Sequence, residues 1–254
     1  MTKAPFKPRL DKLVFEVRYD FGYLYLDRCG QTIVDILKSS PDWLLDNSPK
    51  YTTIIDIGRN LTVQFANDKF IFTAESINRD NLDNFKGICQ YVWKIIQSNL
   101  GLDTYIRVGC RIYYLLPTNS RDESEKRIRR SKINIILPKE ITSNGYHSKV
   151  NQVLTILEKE ATEYRVELRG ITQITGRSPS YLDIQEPRLL SKNQRKAQIE
   201  LEKARTHYSS LPMFAVQLDV DCIQFQPITI KPQAFITEQL SRVDNDFFPI
   251  LEAL

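Results

Sequence analysis

The sequence predicts an α+β protein in which helices pack on one face of a mainly antiparallel sheet. Three observations support this fold class. Segments with an apolar residue at every second position, typical of strands, recur in both halves of the chain. Segments with apolar residues three and four positions apart, typical of amphipathic helices, lie between them. Short turn sequences join several consecutive strands, and such turns make neighbouring strands antiparallel.

The first elements follow from these two periods. Alternating apolar residues predict a strand over residues 13–19. Apolar residues at helical spacing then predict a helix over residues 23–37. Pro41 prevents this helix from continuing much further. Three short antiparallel strands are predicted next, over residues 51–57, 61–65 and 70–73.

The strongest helical pattern begins at Leu82, where apolar residues recur at intervals of three and four as far as Ile96. Gly101 follows as a cap, because glycine readily adopts the left-handed conformation that ends many helices. Residues 104–116 then alternate as a strand, which Pro117 is expected to end. Its polar face is predicted to carry Tyr105, Arg107, Arg111 and Tyr113.

The second half of the chain repeats this order of elements. Strands are predicted over residues 133–137, 150–158, 164–174 and 213–225, the middle two as a hairpin. Helices are predicted over residues 191–208 and from Pro232 to near Pro249. The repeated order suggests two related α+β lobes, residues 1–118 and 133–254, that share a sheet and are joined by a charged connection at residues 119–132.

A hairpin, a helix and a strand follow one another over residues 61–117. The hairpin ends in Phe70-Ile71-Phe72-Thr73, the helix contains Phe85 and Trp93, and the strand reads Ile106-Arg107-Val108-Gly109-Cys110-Arg111-Ile112-Tyr113. This stretch resembles a sporadically distributed bacterial family of uncharacterised conserved proteins of about the same length. The family pattern in the strand is closer to R-V-G-L-R-Y-I-N, and this chain departs from it at Cys110 and again after Tyr113. The resemblance implies the fold and no activity.

The composition is that of an ordinary globular protein, with 42% hydrophobic and 26% charged residues. The first ten residues have no apolar run of the kind a signal peptide needs, and nowhere does an apolar run approach the roughly 18 residues of a membrane span. A cytoplasmic protein without a membrane partner is expected. The four cysteines form no C-x-x-C pair, so they are interpreted as reduced, small apolar residues.

The sequence carries no recognisable catalytic motif. His147 and His207 lack the spacing of a hydrolase triad or of a zinc protease. The nine glycines form neither a dinucleotide-binding loop nor a P-loop, so no cofactor is predicted. An enzyme is therefore the less favoured class.

Asp219 and Asp221 form an acidic pair that suggests a chemical role. They lie two residues apart in a predicted strand, so both carboxylates emerge on the same face of the sheet. Two such acids could hold a divalent metal ion, which gives a metal-dependent enzyme as one hypothesis. A solvated strand face is the simpler interpretation of the same pair.

Basic residues cluster in residues 121–132 and 188–205, and this clustering supports nucleic-acid binding as an alternative function. The candidate contacts to RNA or DNA are Arg107, Arg111, Lys126, Arg127, Arg129, Arg130, Lys132, Lys192, Arg195 and Lys196. Tyr105 and Tyr113 could supply stacking surfaces beside the two strand arginines. The net charge of +4 is only mildly basic, however, and acidic neighbours neutralise much of each cluster.

The leading hypothesis is a non-enzymatic protein-interaction module or assembly subunit, which binds another protein or a second copy through a sheet face or the terminal helix. The apolar C-terminal run supports it, with Phe247, Phe248 and Leu251 as candidate partner contacts. The same run could instead pack against the chain's own core. That second interpretation is the simpler one.

Overall fold

Nine strands form one open antiparallel sheet in the part of the chain that the structure describes. This computed structural model describes residues 7–131, apart from 21, 40–42, 48–49, 57, 76 and 78, together with residues 152–172 and 213–254. The predicted α+β class is confirmed. The predicted strand at 133–137 and helix at 191–208 lie outside the described residues, as do His147 and His207.

The strands are β1 (Arg9–Arg18), β2 (Leu44–Asn47), β3 (Tyr51–Asp56), β4 (Leu61–Ala66), β5 (Lys69–Glu75), β6 (Arg107–Thr118), β7 (Gln152–Lys159), β8 (Thr162–Thr172) and β9 (Phe214–Phe225). Their order across the sheet is β2-β3-β4-β5-β1-β6-β9-β8-β7. The first strand thus lies at the centre, between β5 and β6, and β2 and β7 form the two edges.

The described helices are α1 (Tyr25–Ser39), α2 (Leu82–Leu100), α3 (Arg121–Arg130), α4 (Pro232–Arg242) and α5 (Pro249–Glu252). A π-helical segment, Val243–Phe247, joins the last two. Gly101 ends α2 in the left-handed conformation, with φ of 64°, as its place after the apolar pattern predicted. Ser120 caps α3 by accepting a hydrogen bond from the Glu123 backbone N–H at 3.1 Å.

The helices pack on one face of the sheet because the central strands alternate in polarity. On β6, Val108, Cys110 and Ile112 are fully buried beneath the helices. The adjacent strands continue this apolar layer, since Cys110 is paired in register with Phe15 of β1 and with Cys222 of β9. The alternate residues of the same strands point to the opposite side, which none of the described helices covers and which we call the helix-free face.

Trp93 of α2 fixes the helices to this apolar layer. Its ring lies 5.2 Å from that of Phe70 and 5.8 Å from that of Tyr105, measured between centroids. Tyr19, also in contact with Trp93, donates its hydroxyl to the carbonyls of Ala66 and Lys69, which flank the β4–β5 turn. One aromatic cluster therefore joins α2, β1 and the β4–β5 hairpin.

Two details of β6 differ from the prediction. The strand continues through Pro117 to Thr118, because its pairing with β1 stops at Leu115 and the missing proline N–H removes no bond to that strand. Tyr105 precedes the strand and does not share a face with Arg107. It packs on Trp93 and hydrogen-bonds to Gln97 on the helix side.

Both halves of the chain contribute strands to the single sheet, and the division into two lobes stays a prediction. The predicted connection at residues 119–132 contains α3, whose Ser124 and Ile128 are buried. None of the described helices combines the length and the apolar character needed to cross a membrane.

Candidate functional site

The helix-free face carries a band of alternating acidic and basic side chains that crosses five neighbouring strands, from β5 to β8. We call it the charged band. Its members are Lys12, Glu16, Arg18, Glu75, Arg107, Arg111, Glu163, Arg165, Glu167, Arg169, Asp219 and Asp221. Because strands from distant parts of the sequence meet here, the register of the sheet decides which charges are neighbours.

The Arg107–Glu16 pair holds the β1 side of the band. Arg107 Nη1 donates to Glu16 Oε1 at 2.7 Å, and Arg18 also contacts this carboxylate. The Arg107 guanidinium extends over Gly109, where a Cβ atom would lie 3.3 Å from Nη2. A glycine at position 109 therefore leaves room for this guanidinium.

The centre of the band is a bidentate pair between Arg111 and Asp219. Arg111 donates from Nε to Oδ1 at 2.9 Å and from Nη2 to Oδ2 at 2.7 Å. Asp219 is buried, and this hydrogen bonding raises the pKa of Arg111. The guanidinium also lies over Tyr113, 5.1 Å from the ring centroid. Burial raises the pKa of Tyr113 to about 12, so the phenol stays protonated at neutral pH.

Asp221 lies beside this pair, but its carboxylate interacts with the neighbouring arginines differently. The sheet register places it between Arg111 and Arg165, yet Arg111 turns to Asp219 and Arg165 turns to Glu163. Burial is the largest influence on its carboxylate and raises the pKa of Asp221. The band therefore contains one partly buried carboxyl group that its arginine neighbours stabilise only from a distance.

The two predicted metal ligands do share a face, as their spacing indicated. Asp219, however, already accepts two hydrogen bonds from Arg111, which a metal ion would have to displace. Across the described ranges, no group of three or more histidine, cysteine, aspartate or glutamate side chains is placed to hold a metal ion. The metal site stays a prediction without a third ligand in the described part of the chain.

The predicted nucleic-acid contacts lie on opposite faces of the sheet. Arg107 and Arg111 belong to the charged band and are engaged by carboxylates, whereas the basic residues of α3 lie on the helix side. These helical candidates are Lys126, Arg127, Arg129 and Arg130. Lys132, Lys192, Arg195 and Lys196 lie outside the described residues. The described candidates therefore do not form one continuous basic surface.

The C-terminal apolar run packs against the chain's own core. The Phe248 ring lies 4.9 Å from that of Tyr114, the Phe247 ring lies 5.6 Å from that of Tyr164, and Leu251 is buried. These are the residues that the sequence nominated as partner contacts. Their placement follows the simpler of the two interpretations.

The edge strand β7 is the apolar surface that the sequence did not identify. Leu154 is 58% exposed, Ile156 is 59% exposed and Leu157 is 45% exposed, although all three belong to a regular strand. Among the described strands β7 pairs with β8 alone. The available signal was the apolar content of residues 153–157 on both strand faces, which is unusual for a strand with a solvated side.

Contacts at its turn hold the β7–β8 hairpin in place. Glu160 and Ala161 form this turn with positive φ angles of 53° and 61°, the conformation that matches the twist of two-residue hairpins. Arg242 of α4 contacts Glu160 and donates to the Tyr164 hydroxyl at 3.1 Å. Tyr164 in turn donates to Gln239 Oε1 at 2.8 Å. The exposed β7 edge therefore belongs to a hairpin that contacts with α4 hold in place.

No protein-family model and no curated protein matches the chain. The resemblance to the sporadically distributed bacterial family therefore stays an expectation. The charged band and the β7 edge are the two candidate functional surfaces in the described part of the chain.

Removing the arginine of the central pair should destabilise the fold. Arg111→Met leaves the buried Asp219 carboxylate without its two donors, and we expect the free energy of unfolding to fall by about 2–3 kcal/mol. The value lies below that of a fully buried pair because the Arg111 side chain is 42% exposed. Urea denaturation monitored by circular dichroism measures the change.

Two further variants complete this experiment. The double variant Arg111→Met/Asp219→Leu removes both charges and should recover most of the loss. Arg165→Met breaks the more exposed pair with Glu163 and should cost less than about 1 kcal/mol. If Arg111→Met costs no more than Arg165→Met, the central pair does not stabilise the sheet.

Asp221 should make stability depend on pH. Its folded-state pKa is raised, so its contribution is greatest below the unfolded-state pKa of about 4 and is lost as the pH rises through the folded-state value. The charged groups that influence it are Arg107 and Arg111 on β6, Arg165 on β8 and Asp219 on its own strand. Asp221→Asn removes this titration, and its stability relative to the wild type should increase between pH 3 and neutral pH.

The measurement is the difference in unfolding free energy between Asp221→Asn and wild type at each pH. Asp246→Asn, an exposed substitution outside the sheet, provides the control for general charge effects. A difference that stays constant, or that decreases as the pH rises, contradicts the assignment.

Proposed function

We propose that this chain is a non-enzymatic protein-interaction module that binds an extended segment by β-strand addition at the β7 edge. The observation that carries the proposal is the exposure of Leu154, Ile156 and Leu157 on this strand. Strand addition combines backbone hydrogen bonds with side-chain contacts at alternating positions. An apolar edge strand offers both.

The composition of β7 favours pairing. An unpaired edge presents free N–H and C=O groups, and proteins usually protect such an edge with proline, lysine or a very short strand. The six residues from Gln152 to Leu157 contain neither proline nor a charge. The opposite edge, β2, has four residues, and Pro41 and Pro49 flank it in the sequence. Among the described strands, the sheet therefore has one short edge, β2, and one open edge of eight residues, β7.

The exposed side chains lie on both faces of the edge. Leu154 and Ile156 point to the helix-free face, and Leu157 points to the helix side, as the pairing with β8 requires. An added strand would therefore find an apolar neighbour whichever way each of its side chains points. Cross-strand apolar pairs of this kind contribute roughly 0.2–1 kcal/mol each.

The charged band provides the polar surroundings of this edge. On β8, Glu167 accepts a hydrogen bond from Gln152 at 2.8 Å and pairs with Arg169 at 3.2 Å. Arg165 and Glu163 form a further exposed pair on the same strand. A binding surface with an apolar centre and charged surroundings gains orientation and selectivity from the charges.

The other two hypotheses gain less support from these contacts. The nucleic-acid candidates that the structure describes lie on opposite faces of the sheet, and metal-dependent catalysis depends on Asp219, which Arg111 already binds. Strand addition, by contrast, uses the β7 edge, where the apolar side chains are exposed.

Site-specific photocrosslinking tests the proposal. A photoreactive phenylalanine analogue at position 156 should form covalent adducts with a bound protein in cells that produce this chain. The control is the same analogue at Tyr91, which is 46% exposed on α2, away from the β7 edge. Adducts from position 156 and not from position 91 support strand addition.

The opposite crosslinking result would locate the binding surface elsewhere. Adducts that form from position 91 and not from position 156 would place the binding surface on the helices. The absence of adducts from position 156, with the analogue incorporated and the protein folded, contradicts the proposal.

A further inference from the structure

We infer that the strand added at this edge is β7 of a second copy of the chain, so that two copies form a symmetric antiparallel dimer centred on Thr155. This inference rests on the proposed function and specifies its partner. It follows from the self-complementary order of side chains along β7.

Symmetry restricts how two β7 strands can pair. A two-fold axis perpendicular to the sheet makes the strands antiparallel and keeps each side chain on its own face. Directly opposed residues must therefore share a face, and a slip of one position is excluded. With the axis at Thr155, this residue faces its own counterpart and Leu154 faces Ile156 of the second copy.

This register pairs like with like along the strand. Two Leu154–Ile156 pairs adjoin on the helix-free face, and two Val153–Leu157 pairs adjoin on the helix side. At each end Gln152 faces Glu158, an amide donor opposite a carboxylate acceptor. The pairing places all four exposed or half-buried aliphatic residues against aliphatic partners and sets no like charges opposite each other.

Neighbouring registers lose this match. Moving the axis to Ile156 places Leu154 opposite Glu158 and Val153 opposite Lys159, so charged groups face aliphatic ones. Moving it to Leu154 places Gln152 opposite Ile156 and Val153 opposite Thr155. Of these three registers, the one centred on Thr155 is the one in which the aliphatic side chains of β7 face aliphatic side chains of the second copy.

A second copy also closes the assembly. Pairing β7 with the β2 edge of another chain would leave a free edge at each end, and repeated copies would extend without limit. Within the described part of the chain, pairing β7 with itself uses the open edge of both copies and leaves the short β2 edges. An eight-residue edge lies at the small end of protein interfaces, so the dimer should be reversible and depend on concentration.

Disulfide trapping tests the register. Thr155→Cys places two cysteines opposite each other at a Cα separation of roughly 4.5–5.5 Å, within the range of a disulfide. Glu158→Cys is the matched control, because residue 158 faces residue 152 of the second copy. Both variants carry Cys29→Ser, since Cys29 is half-buried whereas Cys89, Cys110 and Cys222 are buried. On mild oxidation the position-155 variant should yield at least about tenfold more covalent dimer.

Charge exchange tests the pairing without a covalent bond. A variant with Leu154→Lys and Ile156→Lys should be monomeric, as should one with Leu154→Glu and Ile156→Glu, because like charges then face each other. Equal amounts of the two variants should form a heterodimer. Both substituted positions are more than half exposed, so the fold should persist, which circular dichroism checks.

Sedimentation equilibrium up to about 200 µM distinguishes the outcomes. A reversible wild-type dimer, with trapping at position 155 and heterodimers from the mixed variants, supports the inference. A monomeric wild type whose position 156 still crosslinks to a different protein overturns the second copy and keeps strand addition. A monomer without adducts at position 156 overturns both, and trapping at position 158 in preference to 155 overturns the register.

Discussion

The alternation of apolar and polar side chains along β6 is the constraint on which the rest of the structure depends. This strand pairs with β1 and β9, and its apolar residues, from Val108 to Tyr114, form the layer on which the helices pack. The opposite side of the same strand carries Arg107 and Arg111. Because consecutive side chains in a strand point to opposite faces, one strand determines both the helix-covered core and the composition of the helix-free face.

The charged band is a consequence of this arrangement. Guanidinium and carboxylate groups that are partly removed from water must be paired, and the sheet pairs them across strands that are distant in sequence. Arg111 and Asp219 are 108 positions apart, and Arg107 and Glu16 are 91 positions apart. These ion pairs therefore link β6 to β1 and to β9. The apolar layer links the same strands on the other face of the sheet.

The sequence predicted the elements better than the surfaces they form. The alternation in residues 104–116 and the apolar spacing after Leu82 identified β6 and α2, because local periodicity follows from burial on one side. Tyr105 was assigned to the wrong face because the alternation was extended to a residue that precedes the strand. The bidentate Arg111–Asp219 pair depends on long-range register, which no local pattern encodes.

The exposure of β7 was unpredictable for a related reason. The hairpin with β8 follows from local turn and strand signals, but the position of β7 at the end of the sheet depends on the order of all nine strands. Apolar residues on both faces of a strand indicate either a buried strand or an interface, and the strand order decides between them. The C-terminal apolar run is the opposite case. Its sequence suggested a surface for a partner, but Phe248 and Leu251 are core residues of the chain itself.

The most direct test of a sheet with one open edge is amide hydrogen exchange measured at increasing protein concentration. Peptides that cover β7 should become more protected as the concentration rises, because pairing occupies the outward N–H groups, while peptides from β4 inside the sheet should not change. Exchange in β7 that is independent of concentration, or protection that appears first at β2, would contradict the assignment of β7 as the edge that binds a second copy.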